Sequence, residues 1–103
     1  MNIALLTTIL TKNQAFQQIK PTDGPTPLMV CFIEIKTLFE RLLNTDADNS
    51  QLKESVHLLQ ERGWQEASKI LDYYEEEQEE NYQASFYRLQ ALVASAVNTL
   101  PKG

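Results

Sequence analysis

The 103-residue chain carries nine Lys and Arg against 14 Asp and Glu, a net charge of −5, with 43% apolar and 22% charged residues. A chain of this length fits one domain and buries roughly two-thirds of its unfolded surface, so it needs no disulfide or metal staple to fold. The composition excludes a collagen-like, a wholly disordered or a disulfide-built chain, and no apolar stretch approaches the roughly 20 residues of a membrane span.

The first helix is expected over residues 2–19, where Leu6, Ile9, Phe16 and Ile19 recur on one face with Leu5 and Leu10 beside it. Its apolar start, Ile3 to Leu10, has no Lys or Arg before it and no small-x-small cleavage pattern after it. It therefore reads as a core helix and not as a secretion signal. Residues 20–27 (KPTDGPTP) read as a surface connector, because three prolines in seven residues interrupt a helix.

Residues 28–44 form the most apolar segment, with Leu28, Phe32, Ile35, Phe39 and Leu42 on one face, so this helix is expected at the centre. Its opening LMVCFIEI also fits a strand, but no second strand pattern exists to pair with it. Cys31, the only cysteine, is expected to be a small buried thiol. No intramolecular disulfide can form, and a cytoplasmic setting is expected.

The turn TDADNS (residues 45–50) is rich in capping side chains. Asp48 with Gln51 fits a capping box, and a helix is expected over 49–62 with Leu52, Val56 and Leu59 inside. Gly63 should end or bend it. The next stripes are Trp64, Ala67, Leu71 and Tyr74 over 64–78, then Phe86, Leu89, Val93 and Val97 over 80–99. Between them no apolar anchor occurs from residue 75 to 81.

No Gly or Pro falls between Trp64 and Leu100, so one continuous helix of about 50 Å is favoured over a turn near residues 78–81 capped by Asn81. The fold class is thus all-α: a single domain over 1–103 built as a four- to five-helix bundle, with one long C-terminal helix if the last two segments fuse. A helix that long overhangs the bundle. Its stripe Phe86, Leu89, Val93 and Val97 would then need a second copy of the chain, and a homodimer is expected.

The run Gly63-Trp-Gln-Glu-Ala-Ser-Lys-Ile-Leu71 resembles the turn and second helix of a tetratricopeptide-type hairpin, with Gly four residues before Ala where that family usually has five. No 34-residue period recurs. The resemblance covers under a fifth of the chain and implies a helical hairpin, nothing more.

Catalytic constellations are missing from the sequence. His57, the only histidine, stands mid-helix in ESVHLL with no nucleophile motif, and a phosphotransfer helix would place a base closer after it than Arg62. Asp46, Asp48 and Ser50 begin like a calcium loop, but Gln51 occupies the obligatory Gly position and His57 the closing Glu. One histidine cannot build a di-iron bundle. The three glycines stand alone, so no phosphate cradle is formed. The expectation is no enzyme, no cofactor and no metal. The nine bases are scattered, so no nucleic-acid partner is expected, and no membrane partner either.

Charge supplies the positive signal. Asp72 to Glu80 (DYYEEEQEE) holds six acids and no base, and the rest of the chain has eight acids and nine bases. Six of the nine aromatics lie at Trp64, Tyr73, Tyr74, Tyr82, Phe86 and Tyr87. Tyr73, Glu76, Glu77, Glu80 and Tyr87 are the expected contacts for a basic protein surface. A non-enzymatic interaction module follows: an adaptor, a chaperone-like subunit or an inhibitor or immunity protein. The alternative is a regulatory or assembly subunit that pairs through apolar helix surfaces, its acids serving solubility.

Overall fold

Helix α1 (Ile3–Gln18) begins where Asn2 supplies its cap: the Asn2 side chain accepts from Leu5 N at 3.1 Å. The computed structural model describes residues 2–101; Met1, Lys102 and Gly103, part of the expected domain 1–103, lie outside the described residues. Leu6, Ile9 and Phe16 of α1 are buried, as their spacing requires.

A 3-10 turn (Pro21–Asp23) follows, and Gly24 takes φ +84°, a conformation open to glycine at little cost. Helix α2 (Pro25–Thr45) then starts three residues earlier than the sequence implies. The connector over 20–27 is therefore shorter than expected. Pro25 and Pro27 occupy the first turn, where backbone N–H groups have no intrahelical partner and proline loses nothing. Pro21 is buried and belongs to the core, not to a surface linker. Along α2, Leu28, Phe32, Ile35, Phe39 and Leu42 are all fully buried.

Helix α3 (Ser50–Leu58) is capped by Asn49, whose side chain accepts from Leu52 N at 3.0 Å; the cap is thus one residue beyond Asp48. Gly63 does not end the helix. A π-helical turn (Leu59–Gly63) carries it without a break into α4 (Trp64–Glu75), so Ser50 to Glu75 forms one rod of about 39 Å. The helical-hairpin turn implied by the tetratricopeptide resemblance is absent.

Gly63 is buried against α2. A Cβ built on it would meet Phe32 Cζ at 2.6 Å, so the missing side chain lets the two helices approach.

The chain turns instead at residues 76–78, and α5 (Glu79–Asn98) runs back antiparallel to α4. The favoured continuous helix over residues 64–100 is corrected by this turn. The fold is an all-α bundle of four rods, α1, α2, α3–α4 and α5, connected up-down-up-down, and no strand occurs among the described residues. Each rod packs on its chain neighbours, and α5 closes the ring against α1.

Two side chains lock the tip end of that closure. Gln90 Nε2 donates to Ile19 O, at the C-cap of α1, at 2.9 Å, and to Phe16 O at 3.0 Å, which also accepts from Ile19 N. Tyr82 OH donates to Pro21 O at 2.7 Å.

The stripe Phe86, Leu89, Val93 and Val97 is buried inside this single chain. Without an overhanging helix these four residues lie in the core of their own protomer, where α5 packs against α1 and the α3–α4 rod. They are not a surface for a second copy, and the expected dimer interface is corrected accordingly.

Candidate functional site

The α4–α5 hairpin tip is built by a helix stop that uses no glycine. Gln78 N donates to Tyr73 O at 2.9 Å and Glu77 N to Tyr74 O at 3.2 Å, the bond pair of a Schellman motif. The residue at the left-handed position is Glu77, with φ +57°, the single non-glycine residue with positive φ among the described residues. A Cβ costs energy there, which is why this position is usually glycine.

The turn gathers the whole acidic block at one end of the molecule. Asp72 and Glu75 end α4, Glu76 and Glu77 form the turn, and Glu79 and Glu80 begin α5. The block is thus a helix end, a turn and a helix start, where a single helical stretch over 72–80 was expected.

None of the six acids pairs with a base among the described residues. Elsewhere Glu34 meets Lys12, Glu40 meets Lys36, and Glu66 meets both Arg88 and Lys69. The tip acids find only neutral amides: Glu76 accepts from Gln78 Nε2 at 2.6 Å and Glu79 from Gln83 Nε2 at 2.8 Å. Glu79 and Glu80 lie in the first turn of α5, where the helix dipole favours negative charge.

Aromatic rings support this end. Tyr74 packs on Tyr82 at 5.2 Å with the rings tilted by 53°, Tyr82 meets Phe86 edge-on at 5.8 Å, and Phe86 meets Tyr87 at 6.0 Å. Burial pushes the Tyr82 phenol up to about 12, helped by Tyr74, Glu79 and Asp23 nearby. Tyr73, Tyr74, Glu75, Glu77, Glu79 and Tyr82 line an open pocket of about 430 Å³ beneath the turn.

Of the residues expected to contact a partner, Glu76, Glu77 and Glu80 are exposed together at the tip. Tyr73 is half-buried against the core and lines the pocket. Tyr87 is 55% exposed, seven residues beyond Glu80 and so on the same face of α5, two turns from the tip. Sequence reasoning missed Trp64, Leu71 and Tyr74. It placed them in an inner stripe, yet they are 40%, 41% and 51% exposed. Ala67, the fourth member of that stripe, is buried as expected, and Ile70 and Gly63 are the inner positions that were missed. A glycine gives no apolar signal, and the bulk of Trp64 drew the expected stripe one position forward.

The other reactive groups lie apart from this end. His57 is exposed on α3 with Nδ1 3.8 Å from Glu61. Cys31 is half-buried between α1 and α2, its thiol 3.7 Å from the Lys12 carbonyl, and burial followed by the Glu34 charge pushes its pKa up, which disfavours the thiolate. Among the described residues no group of three His, Cys, Asp or Glu side chains is placed to hold a metal ion, and no helix is long and apolar enough to cross a membrane. The chain matches no family model, no curated protein and no solved structure.

Proposed function

We propose that this bundle is a non-enzymatic interaction module that docks a basic protein surface through the α4–α5 tip. The observation that carries the reading is the set of six carboxylates held at one end with no ion-pair partner among the described residues. Like charges held close repel, and the core does not require them there. A basic partner would relieve that repulsion and gain from it.

Charge of this kind acts mostly before contact. It steers the partner in and rejects acidic competitors, and its reach falls from about 30 Å at 0.01 M salt to about 8 Å at 0.15 M. An adaptor, a chaperone-like subunit and an inhibitor or immunity protein all use such a surface, and the identity of the partner separates them. Glu76, Glu77 and Glu80 supply the charge, and Tyr73, at the pocket, and Tyr87, on the Glu80 face, supply flat apolar area with a polar edge.

The test is kinetic. A partner captured from the native host is purified, and its association rate is measured against the protein and against the Glu76→Gln, Glu77→Gln, Glu80→Gln triple variant. At low salt the variant should associate about tenfold more slowly, with a flatter salt dependence. An unchanged on-rate for a genuine partner sinks the reading and leaves the tip a solvated helix end.

A further inference from the structure

A helix face patterned like a core face, yet left uncovered, needs an occupant. Trp64, Leu71 and Tyr74 lie at i, i+7 and i+10 on α4, so they share one flank over about 15 Å. All three are exposed by two-fifths or more. Single exposed apolar side chains are ordinary on a surface. Three in helical register are not, and this flank has a charge gradient as well.

At its lower end Trp64 rests edge-on against Phe32 at 5.7 Å, with Lys36 Nζ 5.8 Å from its ring centre. Lys36 is itself held by Glu40 at 3.1 Å, so the charge there is already balanced. At the upper end Asp72 and Glu75 on the same helix, and Glu76 at its cap, follow without an ion-pair partner. The flank therefore runs from neutral and apolar to negative within about three turns.

From this we infer that the Trp64, Leu71 and Tyr74 flank of α4 docks an amphipathic helix of the basic partner, whose apolar stripe covers the three side chains and whose Lys or Arg residues meet Asp72, Glu75 and Glu76. The inference rests on the reading of the tip as a site for a basic partner, and adds that partner's secondary structure and its apolar anchor. Helix-in-groove recognition uses apolar anchors spaced by three, four or seven residues, and the seven-residue and three-residue steps from Trp64 to Leu71 to Tyr74 fit that spacing. Charge argues against a second copy as the occupant, because each copy has a net charge of −5 and the same unpaired acids.

Trp64 is the only tryptophan and lies in the proposed contact, so its fluorescence reads the docking directly. The probe is a Trp-free helical peptide of about 18 residues, with Leu at i, i+3, i+7 and i+10 and its Lys and Arg residues toward one end. A peptide of the same composition, scrambled to destroy the stripe, serves as control. The intact peptide should shift Trp64 emission to the blue and bind at least tenfold more tightly than the scrambled one. Leu71→Gln, at an exposed position that leaves the circular dichroism unchanged, should raise Kd about tenfold. Glu75→Gln with Glu76→Gln should flatten the salt dependence instead.

Equal binding of both peptides, indifferent to Leu71→Gln, overturns the docking face while the acidic tip survives as a charge-only site. Binding that needs Leu71 but ignores salt overturns the tip reading, and with it the basic chemistry of the occupant. No shift with either peptide overturns the proposal outright. A dimer in light scattering that Leu71→Gln returns to monomer overturns it in favour of a second copy.

Discussion

Gly63→Ala separates two physical effects that predict opposite signs. The residue has ordinary helical angles, φ −59° and ψ −47°, so the backbone raises no objection to a side chain. In an open helix interior the exchange should then stabilise by about 1 kcal/mol. But the new Cβ would lie 2.6 Å from Phe32 Cζ and 2.9 Å from Cε1, where carbon atoms normally rest about 3.5–4.0 Å apart. The Phe32 ring must retreat by about 1 Å. It has nowhere to go, being fully buried and braced edge-on by Trp64 at 5.7 Å.

Overpacking of this kind costs about 1–3 kcal/mol, which against the helix gain of about 1 kcal/mol leaves a net loss of up to about 2 kcal/mol. For a domain of this size that lowers Tm by up to about 15 °C. Thermal and urea unfolding followed by far-ultraviolet circular dichroism measure it, and Trp64 emission should move because its stacking partner moves. Phe32→Leu shortens the obstructing side chain, so Gly63→Ala should cost less in that background, with a coupling of about 1 kcal/mol or more. A single Gly63→Ala variant with a raised Tm and a raised urea midpoint would refute the close approach of α2 and the π-helical turn.

Gln90→Leu strips two donors from the Phe16 and Ile19 carbonyls and should cost about 2 kcal/mol by urea unfolding; an unchanged midpoint would mean that the end of α1 is satisfied without it. Tyr82→Phe removes one of two donors to the Pro21 carbonyl, which keeps the Gly24 N–H at 3.1 Å, and should cost about 1 kcal/mol at neutral pH. Because the folded Tyr82 phenol is raised from 10.0 to about 12, its contribution is complete below pH 10 and is lost as pH climbs from 10 toward 12. Equilibrium unfolding across that window should show the loss in the native chain and a flatter slope in Tyr82→Phe. Glu77→Gly relieves the left-handed strain at φ +57° and should add about 0.5–1 kcal/mol. Glu77→Gln, which removes the charge but keeps the strain, should add less, and equal effects of the two would reject the strain.

Helix content was legible because apolar spacing is enforced by burial: every residue of the stripes expected on α2, α3 and α5 is buried, although Cys31, also expected inside on α2, is only half-buried. What the sequence concealed lies where backbone geometry, not side-chain polarity, decides. A π-helical turn has no residue signature, so Gly63 looked like a helix end when its role is to admit the Phe32 ring. The Schellman stop at Glu77 lacks the glycine that marks such turns, so the chain read as continuous. The one available cue was the absence of apolar anchors from residue 75 to 81. Pro25 and Pro27 misled in the opposite direction, because proline that breaks a helix interior is at ease in its first turn. The expected dimer interface fell with the long helix, since the same four side chains that would overhang from a rod fill the core of a hairpin.

The energetic burdens of this chain are not spread evenly. Its packing and buried hydrogen bonds are consistent with one another along α1, α2 and α5, where Gln90 and Tyr82 close the ends. At the tip, two costs coincide: a left-handed Glu77 where glycine would relax, and six carboxylates without a base among the described residues. Immediately below lie Trp64, Leu71 and Tyr74, apolar area the fold leaves in water. Each departure alone is small against a total stability of about 5–15 kcal/mol. Together they occupy the α4–α5 tip and one flank of α4 beside it, and a folding requirement explains none of them. Local departures from the rules a fold obeys elsewhere tend to collect where a surface serves something other than folding. That coincidence in space is the physical reason for seeking the partner at α4 and its turn, ahead of the outer face of α2, where Val30 and Ile33 are comparably exposed but no unpaired acid accompanies them.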